Sequence, residues 1–165
     1  MRITLEGRIV LRVVSMMGWI GLLALVGCGG RMPEDLGSRG GMLGGCPESP
    51  NCVSSASPAS DEQHSITPFT IEGDGQAAWS ALVDAVGTLP RTEIVKNEGG
   101  YLQAVQTSAL MRYNDDFEFL LDGNAGVIHV RSASRVGYGD MGVNRDRIET
   151  VRSALAAKGV VAGDG

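Results

Sequence analysis

From residue 69 onward the chain switches repeatedly between a period of two and a helical period. Phe69-Thr70-Ile71-Glu72 alternates apolar and polar positions and predicts a first strand. Asp74 is placed to cap a helix starting near Gly75, in which Trp79, Leu82, Val83 and Val86 recur at helical spacing before Gly87 and Pro90 end it. Thr92–Lys96 and Tyr101–Thr107 predict two strands turned by Asn97-Glu98-Gly99-Gly100. Asp116–Asp122 and Ala125–Arg131 predict a hairpin closed by Gly123-Asn124 as a two-residue turn. That turn sets Asp122 opposite Ala125, Phe119 opposite Ile128, Phe117 opposite Val130, Glu118 opposite His129 and Asp116 opposite Arg131. One face of the hairpin is then apolar, and the other carries acid–base pairs. Asn144 is the expected cap of a last helix, with Ile148, Val151 and Leu155 along one side and Gly159 as its stop. The order β-α-β-β-β-β-α predicts an α+β fold, a mainly antiparallel sheet with two helices packed on one face.

The first part of the chain follows neither period. Arg2, Arg8 and Arg12 precede an uncharged, mostly apolar run of 14 residues, Val13 to Val26. A spanning helix needs about 20 apolar residues, so the run is short for a stable anchor and suited to the hydrophobic core of an export signal. It ends in Leu25-Val26-Gly27-Cys28, a pattern similar to the bacterial lipobox, in which the cysteine is lipidated and becomes the new amino terminus. On this reading residues 1–27 are a signal peptide, and lipid on Cys28 holds the protein on a membrane of the bacterial cell envelope. Gly29 rather than Asp follows the cysteine, which points to the outer membrane facing the periplasm in a Gram-negative host. Between Gly29 and Gly45, seven of seventeen residues are glycine with no hydrophobic period, so residues 28–45 are expected to form a flexible tether reaching ~20–25 Å.

With Cys28 set aside, Cys46 and Cys52 remain as a pair with five residues between them. In an exported protein such a pair predicts a disulfide. A zinc or redox site is the rival reading; it needs further ligands, and the chain holds only His64 and His129 as histidines. No cofactor or metal is called for. Formal net charge is −5, and the first 27 residues are net basic, so the remainder is more acidic still. An acidic domain repels phosphate backbones and makes nucleic acid an unfavourable partner.

The polar chemistry is concentrated late in the chain. Arg112, Asp115, Asp116, Glu118, His129, Arg131, Ser132, Ser134, Arg135, Tyr138, Asp140, Asn144 and Arg145 fall within one short stretch. Three readings stand side by side. The first is a solvated, purely structural charged face. The second is a site for an anionic ligand or an envelope partner. There, guanidinium forks of Arg131, Arg135 and Arg145 meet the N–H groups at Asn144, with Asp116 and His129 beside them. The third is a hydrolase with Asp116 or His129 as base, although no Gly-x-Ser-x-Gly elbow presents a nucleophile. Asp115 and Asp116 cannot both ligate a metal from one strand, because neighbouring residues point to opposite faces.

Five ordered motifs carry a family resemblance: Cys46-Pro-x-Ser-Pro-Asn-Cys52-Val53-Ser54-Ser55, His64-x-Ile66-x-Pro68, Asp115-Asp116-x-Glu118-Phe119, Arg131-Ser132-Ala133-Ser134-Arg135-Val136-Gly137 and Gly142-Val143-Asn144-Arg145-x-Arg147-x-Glu149. Together they resemble the family called domain of unknown function 1499, over roughly residues 45–158. Gly139-Asp140-Met141-Gly142 stands where that family usually has Ser-Asp, so a hydroxyl role at Gly139 is lost. The resemblance implies membership and no established activity. The expected division is signal peptide 1–27, tether 28–45, family domain 46–158 and tail 159–165.

Overall fold

The computed structural model describes residues 30–163. The expected signal segment and Cys28 lie outside the described residues. The elements are β1 (Cys52–Ser54), β2 (Phe69–Thr70), α1 (Gly75–Thr88), β3 (Thr92–Glu98), β4 (Tyr101–Thr107), β5 (Asn114–Asp122), β6 (Val127–Ser134) and α2 (Val143–Ala156). The fold is α+β. All strand pairs are antiparallel, in the order β1-β6-β5-β4-β3, and β2 lies against β6 beside β1. Strand β1 has no counterpart in the sequence reading. It is three residues long and follows a proline-containing ring, too short for its alternation to register.

Both helices pack on one face of the sheet. Trp79, Leu82 and Val86 of α1 and Ile148, Val151 and Leu155 of α2 join Phe69, Leu102, Phe117, Phe119, Ile128 and Val130 in one buried cluster. Asp74 caps α1 as expected, its carboxylate accepting from the Ala77 N–H at 2.7 Å. The cap of α2 differs from expectation. Asn144 lies inside the helix, buried, and Gly142 is the left-handed residue before it. Asp140 supplies the capping carboxylate, accepting from the N–H groups of Gly142 (3.0 Å) and Asn144 (2.9 Å).

The β5–β6 register is also corrected. Glu118 pairs with Arg131, Asp116 with Ala133, Phe117 with Ser132, Phe119 with Val130 and Leu120 with His129. The pairing has moved by two residues, so each side chain keeps its face and changes its partner. The cause is the turn. Asp122 accepts from the N–H groups of Asn124 and Ala125, both at 2.9 Å, and Gly126 takes a φ of 69°, which opens a four-residue loop. Those two N–H bonds also hold the Asp122 carboxyl below its ordinary value. The tight two-residue turn occurs instead at Gly99-Gly100, with φ of 58° and 77°, between Glu98 and Tyr101.

Two further segments depart from the expected division. Residues 159–163 are not a free tail: Val161 is buried and bridges Ile71, and the Ala162 N–H donates to the Thr70 carbonyl at 2.9 Å. Nor do residues 30–45 form an extended tether. They run as a strap across the face of the sheet opposite the helices, where Leu43 packs with Tyr101 and Leu120.

Candidate functional site

The predicted site residues separate onto the two faces of β5 and β6. On the strap side, Glu118 and Asp116 project from β5 and Arg131 from β6, at 0%, 1% and 2% exposure. A buried charge must be paired and hydrogen-bonded to be tolerated. Here each one is. Arg131 donates from Nη1 to Glu118 Oε2 (3.0 Å), from Nη2 to Asp35 Oδ2 (2.7 Å) and from Nε to the Gly45 carbonyl (3.2 Å). Glu118 Oε1 accepts from the Tyr101 hydroxyl and the Gly37 N–H, both at 2.7 Å. Burial, reinforced by the bond to Glu118, pushes the Tyr101 hydroxyl well above its ordinary pKa, so it stays a donor. Arg135 forms a two-pronged pair with Asp116, Nε to Oδ2 at 2.7 Å and Nη2 to Oδ1 at 2.8 Å, and this pairing raises the guanidinium further.

On the helix side a second polar group sits inside the apolar cluster. Arg147 reaches Asp115 Oδ2 (2.6 Å), Ser132 Oγ (2.7 Å), Asn144 Oδ1 (2.6 Å) and Gln106 Oε1 (2.9 Å), and its guanidinium lies 5.4 Å from the Phe117 ring centre. Arg152 pairs with Glu149 at 2.8 Å, donates to the Thr67 and Pro68 carbonyls, and lies 4.6 Å from the Phe69 ring centre. Asp115 and Asp116 therefore serve opposite faces, as strand geometry requires. Among the described residues, no buried side-chain nitrogen or oxygen lacks a partner.

Arg131, Arg135 and Arg145 do not converge on one spot. Arg131 and Arg135 lie on the strap side, each against its own carboxylate. Arg145, on α2 across the sheet, donates to the carbonyls of Glu62, Gln63 and Ser65 and holds that loop. Asn144 is absorbed by Ser132, Ser134, Arg147 and the Asn51 carbonyl. The amino terminus of α2 is occupied by Asp140. Asp116 and His129 share a face but not a partner: His129 Nδ1 meets Ser55 Oγ at 3.3 Å, and that hydroxyl also accepts from the Val130 N–H. Cys46 and Cys52 are joined in a disulfide, which fixes the end of the strap to β1.

An open cavity of about 500 Å³ remains on the strap side, lined by Asp35, Cys46, Pro47, Arg131, Ala133 and Ser134 among others. Arg131, buried, and Asp35, 53% exposed at its side chain, both line it. Sequence reasoning singled out Arg131 but missed Asp35, Tyr101, Arg147 and Arg152. Arg147 and Arg152 had a readable signal. Asn144, Arg147, Ile148, Val151, Arg152 and Leu155 follow the i, i+3, i+4, i+7, i+8, i+11 spacing of one buried stripe.

The fold and its two charged layers thus define an α+β domain whose polar motifs are first of all internal partners of one another. The chain belongs to the family described as protein of unknown function DUF1499, whose family model matches residues 42–155. No curated protein matches it.

Proposed function

We propose that the protein is a lipid-anchored, non-catalytic binding domain of the bacterial cell envelope, and that it takes a carboxylate of an anionic envelope ligand at Arg131 in place of Asp35. The observation that carries this reading is the half-exposed Asp35 carboxylate on the buried Arg131 fork, where both residues line an open cavity. An incoming carboxylate exchanges like for like, so Arg131 never loses its neutralising partner. Glu118 and Tyr101 remain in place throughout. Asp116, locked by Arg135, and His129, held by Ser55, supply no free base beside that cavity, which favours binding over hydrolysis.

The test is calorimetric titration of the protein with short peptides ending in a free carboxylate and with soluble cell-wall stem peptides. Asp35→Ala removes the internal competitor, a partner whose half-exposed carboxylate contributes about 1 kcal/mol, and is expected to tighten binding roughly fivefold. Arg131→Lys keeps the charge but loses the fork and is expected to weaken binding tenfold or more. A folded Arg131→Lys protein that binds as wild type, or Asp35→Ala without gain, overturns the reading. The anchor has its own test: Cys28→Ala is expected to abolish fatty-acid labelling and leave uncleaved precursor.

A further inference from the structure

We propose that the end of the sheet where β5 starts and β6 finishes is a membrane-docking surface, its loops 108–113 and 136–142 resting in the headgroup layer of the bilayer that carries the Cys28 lipid. The proposal rests on the lipid-anchor reading above.

Three independent observations meet at this end of the molecule. The first is exposure. Leu110 (88%), Met111, Tyr113, Tyr138 (78%), Met141 (102%) and Val143 are six of the nine exposed large apolar side chains among the described residues, and all six lie in or beside these two loops. Scattered exposed apolar residues need no explanation, but a concentration on neighbouring loops marks a contact surface.

The second is topology. Thr107 pairs with Asn114, Asp115 pairs with Ser134, and the Arg135 N–H donates to the Asn114 carbonyl at 3.1 Å. The two loops therefore leave the sheet side by side. Each carries a non-glycine residue in the left-handed region, Arg112 at φ 58° and Met141 at φ 56°, a conformation that costs free energy and is retained where the surrounding structure or a function requires it.

The third is the position of Gly30. A Cβ added to Gly30 would lie 2.8 Å from the Arg135 Cβ and 2.9 Å from the Val136 Cγ1, so Gly30 is packed against the root of the 136–142 loop. Cys28 is two residues earlier, and two extended residues span at most ~7 Å. The lipid is thereby delivered to the apolar loops. The strap, laid on the sheet, cannot act as a spacer that lifts them away.

The chemistry of the surface suits a lipid interface. Tyrosine and methionine place polarizable apolar bulk at headgroup depth; the exposed Arg112 offers a cation to anionic lipid phosphates, and Arg31, 3.7 Å from the equally exposed Glu34, can exchange that partner for one. The Asp140 carboxylate is turned inward onto α2. Because two or three acyl chains already anchor a lipoprotein stably, docking sets orientation rather than attachment. Strand β5 then stands away from the bilayer, with the 123–126 turn about 25 Å from the docked end.

The test uses the full lipidated chain in vesicles of phosphatidylethanolamine and phosphatidylglycerol. A polarity-sensitive fluorophore is attached at Met141→Cys or, separately, at Asn124→Cys, and is quenched by spin-labelled lipid. Both are exposed positions, and circular dichroism checks that each variant is folded; Leu110→Cys replaces position 141 if that variant is not. The expected result is quenching several-fold stronger at 141 than at 124. If the amino-terminal peptide carries lipid by mass and the two positions quench equally, docking is overturned while the anchor stands. If that peptide carries no lipid and the chain remains in the soluble fraction, both readings fall.

Discussion

The two faces of the central sheet solve the same problem with opposite materials. The helix face buries Phe69, Phe117, Phe119, Leu102 and Ile128 beneath two helices, and its two buried guanidinium groups are held in place, Arg147 among Asp115, Ser132 and Asn144 and Arg152 against Glu149. The strap face buries two ion pairs beneath some fifteen residues of glycine-rich chain whose only buried apolar side chain is Leu43. Apolar burial is non-directional and stabilises wherever volume is filled. Buried ion pairs give little net stability, because desolvation offsets most of their attraction, but they penalise any arrangement that separates the partners. Stability therefore comes mainly from the helix face. The strap face fixes the placement of a weakly apolar segment and of a cavity that this segment helps to line.

The largest effect belongs to the helix face. Phe119 is fully buried and touches both Phe69 and Phe117, with ring centres 5.9 and 6.0 Å away. Phe119→Ala is expected to cost about 3–5 kcal/mol, read as a shift in the urea midpoint without a change of slope.

The strap face breaks differently. Arg131→Met leaves Glu118 buried with the Tyr101 and Gly37 donors but no cation, and is expected to cost about 3 kcal/mol. Arg131→Met combined with Glu118→Gln removes both charges and keeps an amide oxygen for the Tyr101 and Gly37 donors, so it is expected to recover most of that loss, with Asp35 released. A double variant as unstable as the single one would give the strap face the same energetic weight as the core.

The contrast also explains what could be read from the sequence. The helix face was legible because apolar periodicity is its only requirement: Phe117, Phe119, Ile128 and Val130 alternate, and Ile148, Val151 and Leu155 recur at helical spacing. Their faces survived even a register error of two residues. The strap was not legible. Glycine-rich chain without a hydrophobic period has the composition of a linker, and what holds residues 35–45 down is a set of specific partners — Asp35 on Arg131, the Gly37 N–H on Glu118 — that only the fold brings within reach. The candidate site was half legible for the same reason. Arg131, Asp116 and His129 were found as residue types, but their partners depended on a turn whose extra residues come from Asp122 accepting two backbone N–H groups, a local competition that a Gly-Asn dipeptide does not announce.

A smaller effect tests how the strap is fastened. The Cys46–Cys52 bond closes a short ring at the end of the strap, and closing a loop of this size removes unfolded-chain freedom equivalent to about 2 kcal/mol. Replacing both cysteines by serine is expected to lower stability by that amount. Amide exchange is expected to accelerate most in residues 35–45, while the protons of β5 change only in proportion to global stability. Uniform acceleration across the sheet would mean that the strap and the helix face open as one unit.

The smallest effect lies where the helix layer meets the docking loop. Burial alone would raise the Asp140 carboxyl, but the N–H groups of Asn144 and Gly142 and the Asn144 side-chain amide more than compensate and hold it below its ordinary value. A carboxyl whose folded pKa is depressed stabilises the fold above its unfolded value, and that stability is lost as pH falls through the folded value. Asp140→Asn removes the charge at the amino terminus of α2 and one of the two acceptor oxygens that the Gly142 and Asn144 N–H groups use, so it is expected to cost about 1 kcal/mol at neutral pH. The gap between wild type and variant should stay constant from neutral pH down to the usual carboxylate range. It should then close as acid protonates Asp140 in the folded protein, and urea midpoints measured across that range follow it directly. A gap that persists in acid would mean that the side-chain geometry, not the negative charge, anchors the start of α2, and that the loop bearing Tyr138 and Met141 is held by shape alone.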